Sequence, residues 1–458
     1  MTTRQCFRLI VLLSLVGRAV SFSASPPPPS SGTRSSDNHK PPNKKLKSPP
    51  RDFAVPFTGQ IKRARSARDA IGVIARIERQ GYHPNMFHYS AIINKCAKEK
   101  LVDKALGLLK RMINQGGTPN AVVLCTVIDA CAKAGRHKYA ISLLNDMEDK
   151  YGVKPTVKCF SAAIASCEKA RKWQEAVKLL RMMTKKGVKP NVVVYSSVIS
   201  ACEKFAEWEK ALEFLAEMEE VNIPPNVYSY AGAISACEKG RQPDIALSLL
   251  TQMKNEGIRP NVVSYSSTIS ACEKGGVKYT ETALSLFSEM KKSGINPDDV
   301  THRVITQACF DSKRYPEALR LAREAACLSF KEQSLRMNVS TKSRVPKWDL
   351  HELPEATACM LLADALLVFV RTGNEGTRPK YQDIIVVTGK GLNTENPNGP
   401  VLKEKIPAFL NDVAGLETAA IEENEGRFLI TAASLEEWTT SGACEKFKGL
   451  FQRRQKNE

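Results

Sequence analysis

The stretch "KPNVVVYSSVISACEK" occupies residues 189–204. It returns as "PPNVYSYAGAISACEK" at 224–239 and "RPNVVSYSSTISACEK" at 259–274, and more loosely as "HPNMFHYSAIINKCAK" at 83–98. A fixed internal period dominates the reading, because each copy is one unit that cannot bury its apolar face alone. The period is timed by cysteine: Cys96, Cys131, Cys167, Cys202, Cys237, Cys272 and Cys309 stand 35, 36, 35, 35, 35 and 37 residues apart. Starting each unit after its Pro-Asn-type end gives 86–120, 121–156, 157–191, 192–226, 227–261 and 262–298. A partial unit at about 51–85 precedes them and a degenerate one at 299–333 follows, so the array covers 51–333.

Each unit reads as two helices. In 192–226, Tyr195, Ile199 and Cys202 fall at i, i+4 and i+7 on one helical face. A break is expected around Phe205 and Ala206, after which Ala211, Leu212, Leu215 and Met218 form a second stripe. The unit closes on "NIPPN", and others close on "GVKP" (187–190) or "GIRP" (257–260). Glycine accepts the left-handed backbone that ends a helix, and proline cannot continue one. One hairpin cannot bury both stripes, so the units must stack into a solenoid. The expected fold is mainly α.

The rest of the composition agrees. The chain has 458 residues, 43% of them hydrophobic, enough for more than one domain. A formal net charge of +19 favours an anionic partner, with nucleic acid ahead of a membrane surface, against the alternative of a solvated basic surface with a basic targeting tail. The thirteen cysteines form no CxxC pair, and their even spacing is unlike a disulfide framework. One cysteine per unit reads as a small buried packing residue.

Residues 1–21 read as a signal peptide: Arg4 and Arg8, the apolar run "LIVLLSLVG", and "AVS" before cleavage at Ser21–Phe22. Residues 22–50 are rich in Ser, Pro and Lys with one acid, Asp37, the composition of a transit segment that forms no core. Together they resemble the two-part plastid presequence of algae with complex plastids. A mitochondrial address, plain secretion, or nuclear entry through "NKKLK" are the alternatives, and secretion fits badly with so many unpaired cysteines. No segment is apolar for long enough to cross a membrane; "ACMLLADALLVFV" at 358–370 contains Asp364 and reads as a buried helix.

The 35-residue period, the "VVxYSxxIxAC" first helix, the "ALxLLxxM" second helix and the "GxxPN" closure closely resemble the pentatricopeptide repeat. The competing tetratricopeptide reading has a 34-residue unit and a Trp/Gly/Tyr pattern that Trp173 and Trp208 do not fit. The resemblance implies a right-handed α-solenoid that binds single-stranded RNA, one base per repeat. It further implies that the fifth and last residues of a unit read the base edge. Those pairs are Ser90 with Asn120, Cys125 with Thr156, Ser161 with Asn191, Ser196 with Asn226, Ala231 with Asn261 and Ser266 with Asp298. By the family's tendencies the target reads A-?-A-A-?-G, because the Cys125 and Ala231 pairs depart from its usual combinations. Second-place residues, implied to stack on bases, are Phe87, Val122, Lys158, Val193, Tyr228 and Val263, of which Lys158 is atypical and is suited to a phosphate instead.

Lysine stands at the thirteenth place of six units: Lys98, Lys133, Lys169, Lys204, Lys239 and Lys274. Eight residues after the base reader is roughly 80° around the helix, so these lysines are expected to flank the reading face and meet phosphates. The preceding glutamates, Glu168, Glu203, Glu238 and Glu273, turn about 100° away, toward solvent or a neighbouring unit.

Beyond a linker at 334–346, "WDLHELPEATACMLLADALLVF" opens a different pattern. "YQDIIVVTGKG" reads as a strand at 384–388 and a glycine turn, "GPVLKEKIPAFL" as a helix, and "GRFLITAASLEEW" as a last strand and its exit. Asp-Leu-His before a helix and Thr-Gly-x-Gly after a strand resemble the small MutS-related (Smr) domain, here at 347–438, with 439–458 as a tail. The resemblance implies a two-layer α/β sandwich able to nick nucleic acid. Asp349 and His351 would form the acid/base pair, and Thr388, Gly389, Lys390 and Gly391 the phosphate turn. Leu392, Asn393 and Thr394 replace the family's usual x-His-Ser, so binding without cleavage stands beside endonuclease activity as the alternative. No cofactor is evident, and the metal need of any cleavage is open. The non-enzymatic readings are an RNA binder that protects or modulates transcripts and a helical protein scaffold.

Overall fold

The computed structural model describes residues 51–329, 347–350, 353–373, 383–388, 401–421 and 426–452. The presequence (1–50), the linker (334–346), His351, Gly389, Lys390, Gly391 and Leu392–Thr394 lie outside the described residues. The chain divides into two compact units between Ala236 and Cys237. That division falls inside the repeat array, within the helix Val227–Lys239, and not at its expected end near 333. A solenoid has no single core, since each repeat touches only its neighbours, so compactness sets no boundary at its end.

In the first unit the helices come in pairs: Arg51–Arg63 and Ala67–Arg79, Met86–Lys98 and Val102–Asn114, Ala121–Lys133 and His137–Asp149, Val157–Lys169 and Trp173–Lys185, Val192–Glu203 and Trp208–Glu220. Tyr195, Ile199 and Cys202 are buried on one helix of the last pair, and Ala211, Leu212, Leu215 and Met218 on the other. In the second unit the pairs continue as Val262–Lys274 with Thr280–Lys292, and Asp299–Asp311 with Tyr315–Ser329, after the single helix Pro243–Asn255. The partial and degenerate repeats are thus helical hairpins as well.

One device closes both helices of a repeat. Inside the hairpin, the carbonyls of Cys96, Cys131, Cys167, Cys202, Cys237 and Cys309 each accept from the backbone N–H five residues on, at 2.8–3.2 Å. The residue before that donor is left-handed: Lys100, Gly135, Arg171, Ala206, Arg241 and Lys313 have φ between 54° and 73°. After the second helix, the carbonyls of Met112, Met183, Met218, Met253 and Met290 do the same for the residue after Gly116, Gly187, Asn222, Gly257 and Gly294. These are helix-ending Schellman geometries. The repeating Cys and Met therefore close a turn with their backbone and fill the core with their side chain.

Ion pairs between side chains 33–38 residues apart recur along the array: Arg111–Glu78, Arg136–Asp103, Arg181–Glu217 and Lys186–Glu148 in the first unit, Lys254–Glu289, Lys291–Glu324 and Arg314–Glu281 in the second. Each ties one repeat to the next.

At the C-terminal end, strands β1 (Lys347–Asp349), β2 (Ile384–Val387), β3 (Ala419–Ala420) and β4 (Arg427–Ile430) form a sheet of order β1-β2-β4-β3. β1 runs parallel to β2, and β4 is antiparallel to both β2 and β3. The helix Glu355–Gly373 buries Ala358, Cys359, Leu362, Ala363 and Leu366, as expected of a core helix. Among the described residues no helix is long and apolar enough to cross a membrane. Helices Val401–Phe409 and Ala432–Thr440 complete this region. The segment expected as a tail carries a further helix, Gly442–Phe451, that buries Cys444 and Phe447, whose aromatic and thiol side chains reward docking. Helix Glu355–Gly373 packs against the hairpin 299–329, with Arg323 forking onto the Asp364 carboxylate. Phe409 meets Phe310 and Tyr315 at centroid distances of 5.8 and 6.5 Å. The last hairpin and the sheet region therefore share one core.

Candidate nucleic-acid interface

The residue that ends five of the six full repeats caps the first helix of the next. Asn120 Oδ1 accepts from the Val123 N–H at 3.0 Å, Asn191 Oδ1 from Val194 at 3.1 Å, and Asn226 Oδ1 from Ser229 at 3.0 Å. In the second unit Asn261 Oδ1 accepts from Ser264 at 2.9 Å and Asp298 Oδ1 from Thr301 at 2.8 Å. Asparagine and aspartate are favoured here because their oxygen satisfies an orphan helix N–H. Capping also fixes which way the side chain faces. With Oδ1 turned to the helix, a capping asparagine directs its NH₂ donors away from the cap, and a capping aspartate its second, acceptor oxygen. Helix capping and donor/acceptor choice at the last place are two uses of one side chain.

The fifth-place residues stand about one turn into the first helices. Ser90, Ser161, Ser196 and Ser266 are half-buried. Ser161 donates to the Val157 carbonyl at 2.8 Å and Ser266 to that of Val263 at 3.3 Å, so both hydroxyls keep acceptor capacity. Ser196 Oγ lies 2.9 Å from Ser229 Oγ and 3.5 Å from Asn226 Oδ1, which brings the expected pair together around one network.

Second-place side chains are exposed although mostly apolar: Phe87 (67%), Val122, Val193 and Tyr228 (70%) in the first unit, Val263 in the second. Lys158 is exposed in the same register. Val300 holds that place in the degenerate repeat and is exposed too, a residue that sequence reasoning missed although its register was available. In the first unit a groove of about 820 Å³ is lined by Lys98, Val122, Cys125, Lys133, Thr156, Lys158, Ser161, Asn191 and Val193, among others. It gathers expected base readers, stackers and lysines onto one surface.

Four expectations are corrected. Cys125 is bonded to Cys159 in a disulfide, and Thr156 makes no cap; its Oγ1 lies 3.5 Å from Cys125 Sγ and 3.3 Å from Cys159 Sγ. Cys159 is out of phase with the packing cysteines, so their period does not mark it. Ala231 is buried and has no polar atom with which to read a base edge. Lys204 and Lys274 are engaged between repeats, by Glu168 at 2.9 Å and Glu238 at 2.6 Å, which Ser200 and Ser270 also bond. The carboxylates come from the preceding repeat, which the angles within one helix do not include. Lys98, Lys169 and Lys239 are exposed at the same place, and Lys133 is exposed with Asp129 beside it. Thr388 is buried, its hydroxyl donating to the Gly426 carbonyl at 3.2 Å, a bond that joins strand ends and leaves no donor for a phosphate. Asp349 is exposed at the end of β1, level with Val387 at the end of its parallel neighbour β2.

The packing cysteines are buried and free. Burial pushes the thiols of Cys131 and Cys272 up to about 11 and those of Cys167, Cys202, Cys237 and Cys309 to about 12. Such thiols are poor nucleophiles, so the repeated "ACEK" is a structural joint and not a reactive centre.

Family models decide what the repeat is. The model for the PPR repeat matches residues 87–117, 122–151, 193–223 and 263–295, that for the PPR repeat family matches 155–204, and that for the pentatricopeptide repeat domain matches 213–275. These are pentatricopeptide repeats. Among solved structures, the pentatricopeptide repeat protein PPR10 from maize is similar at 20% identity and a TM-score of 0.46, over 71% of this chain and 44% of that one. PPR10 in complex with an 18-nt psaJ RNA element matches at 18% identity and a TM-score of 0.41, over 72% of this chain and 51% of that one. The PPR domain of Arabidopsis thaliana protein-only RNase P 1 (PRORP1), in complex with tRNA, matches at 19% identity and a TM-score of 0.33, over 37% of this chain and 88% of that domain. The chain spans about half of the length of the PPR10 structures or less. No curated protein matches the chain.

Proposed function

We propose that the pentatricopeptide array binds single-stranded RNA through the face that carries the second, fifth and last places of its repeats. The observation that carries this reading is the exposed apolar column, Phe87, Val122, Val193 and Tyr228, in register with capped asparagines. Exposed apolar side chains recurring at one place per repeat mark a surface built for contact. Alternating them with donors and acceptors suits stacked bases read at their edges. Exposed lysines and a net charge of +19 supply the attraction to phosphate.

The capping geometry supports a physical basis for base choice. The NH₂ donors of Asn120, Asn191 and Asn226 suit the ring-nitrogen acceptor of adenine, and the second carboxylate oxygen of Asp298 suits the ring N–H of guanine. The proposed target is therefore A-?-A-A-?-G, open at the repeats of Cys125 and Ala231. The test is fluorescence anisotropy of the full chain with an RNA of this pattern and a scrambled one of equal composition. The patterned RNA is expected to bind tighter; equal affinity would overturn the assignment.

The presequence supports action on organellar, in particular plastid, transcripts, in their processing, stability or translation. Import of a fluorescent fusion carrying residues 1–50 tests the address. For the C-terminal region, Asp349 at the carboxyl end of a parallel strand pair supports the Smr reading, since ligand sites of α/β sheets lie outside such ends. Cleavage of bound RNA by the full chain, lost in His351→Ala, would make it an endonuclease. Intact RNA with retained binding would make it a grip.

A further inference from the structure

One contact in the array is covalent where its counterpart is not. The fifth residue of a repeat meets the third residue of the next repeat across their junction. At one junction these are Ser196 and Ser229, with hydroxyl oxygens 2.9 Å apart. At the junction between 121–156 and 157–191 they are Cys125 and Cys159, bonded, with Cα atoms 4.9 Å apart. Cys125 lines the groove and Cys159 is fully buried beneath it. A reversible hydrogen bond lets two repeats adjust to a ligand; a disulfide joins them. The bond also strips Cys125 of its S–H, so this repeat offers the groove no thiol donor.

We propose that Cys125 and Cys159 form a thiol–disulfide exchange site whose redox state sets the grip of the groove on RNA; the gating half rests on the RNA-binding reading above. The co-reactant is a thiol of the glutathione class. Its thiolate attacks the Cys125 sulfur, the one the groove exposes. The Cys125–Cys159 bond breaks, Cys159 leaves as a thiolate and takes up a proton, and Cys125 is held in a mixed disulfide. A second glutathione thiolate attacks its own sulfur in that mixed disulfide. Cys125 is released and protonated, and glutathione disulfide departs. Two electrons and two protons reach the protein, and two glutathione thiols become one disulfide. The oxidising direction is the reverse. The packing cysteines do not compete, because they are buried and their thiols are pushed up.

The experiment equilibrates the full chain with glutathione disulfide or with glutathione. Differential alkylation read by mass spectrometry reports each cysteine, and anisotropy reports affinity for the patterned RNA. Cys125 and Cys159 should switch together while Cys167 and Cys202 stay reduced. The reduced protein should bind roughly tenfold tighter or more, the scale of one base contact. In the Cys125→Ser/Cys159→Ser double variant, which copies the Ser196–Ser229 junction, affinity should no longer differ between the two buffers. Unchanging alkylation of Cys125 and Cys159 would overturn the exchange site. Switching with equal RNA affinity in both states would overturn the gating. Failure to bind RNA in every state would overturn the RNA reading and the gating with it, while the alkylation pattern still judges the exchange site alone.

Discussion

The Lys204 ammonium stands 2.9 Å from the Glu168 carboxylate of the preceding repeat, and the Ser200 hydroxyl donates to the same oxygen at 2.9 Å. Lys274, Ser270 and Glu238 repeat the arrangement in the second unit. A lysine in such a joint is a poor phosphate contact. Lys204→Ala should therefore lower stability by about 0.5–1 kcal/mol, the range of a part-exposed ion pair. It should leave the salt dependence of RNA binding nearly unchanged. Thermal unfolding and a salt titration measure the two.

Lys98 and Lys158 are exposed on the groove. Replacing either with alanine should reduce the slope of log K against log salt by about 0.7, the value for one contact to a single strand. Base preference should not move. A slope equal to wild type would assign the phosphate contacts elsewhere.

Asn191 separates capping from reading. Asn191→Asp keeps the cap oxygen and should change stability by less than about 0.5 kcal/mol. It exchanges free donors for a free acceptor, so preference at that base should move from adenine toward guanine. Asn191→Ala should lose about 1 kcal/mol of stability and the preference together. Denaturant unfolding with binding to single-base RNA variants tests both.

Arg171 is left-handed at φ 55°, where a side chain costs about 1–2 kcal/mol. Arg171→Gly should stabilise the array by about 1 kcal/mol, less the entropy glycine adds to the unfolded chain. A lower melting temperature would contradict this account of the hairpin turn.

Alkaline stability follows from the buried thiols. Their folded values, about 11 to 12, exceed the ordinary 9.0. A raised value means that the unfolded chain releases protons first. The stability is complete below pH 9 and is lost as pH rises through about 11–12. Circular dichroism of the reduced protein from pH 8 to 12 should show one cooperative loss of helix.

Much of this was legible in one chain. The period of Cys96 to Cys309 located the repeats, and Tyr195, Ile199 and Cys202 marked the buried face because helical geometry makes i, i+4 and i+7 neighbours. The last-place asparagines were legible as polar and in phase. Their capping was not, because it depends on the backbone of the following repeat. The partners of Lys204, the bond between Cys125 and Cys159, and the burial of Thr388 all involve residues distant in sequence. The periodicity of a single helix does not carry them.

Selection from a randomised single-stranded RNA pool by the purified, reduced full chain, followed by sequencing of the bound fraction, reads every repeat at once. Enrichment of A-?-A-A-?-G, with the first open position more sharply defined after reduction than before, is the predicted result. A bound fraction indistinguishable from the input pool, or enriched for an unrelated pattern, would contradict the account.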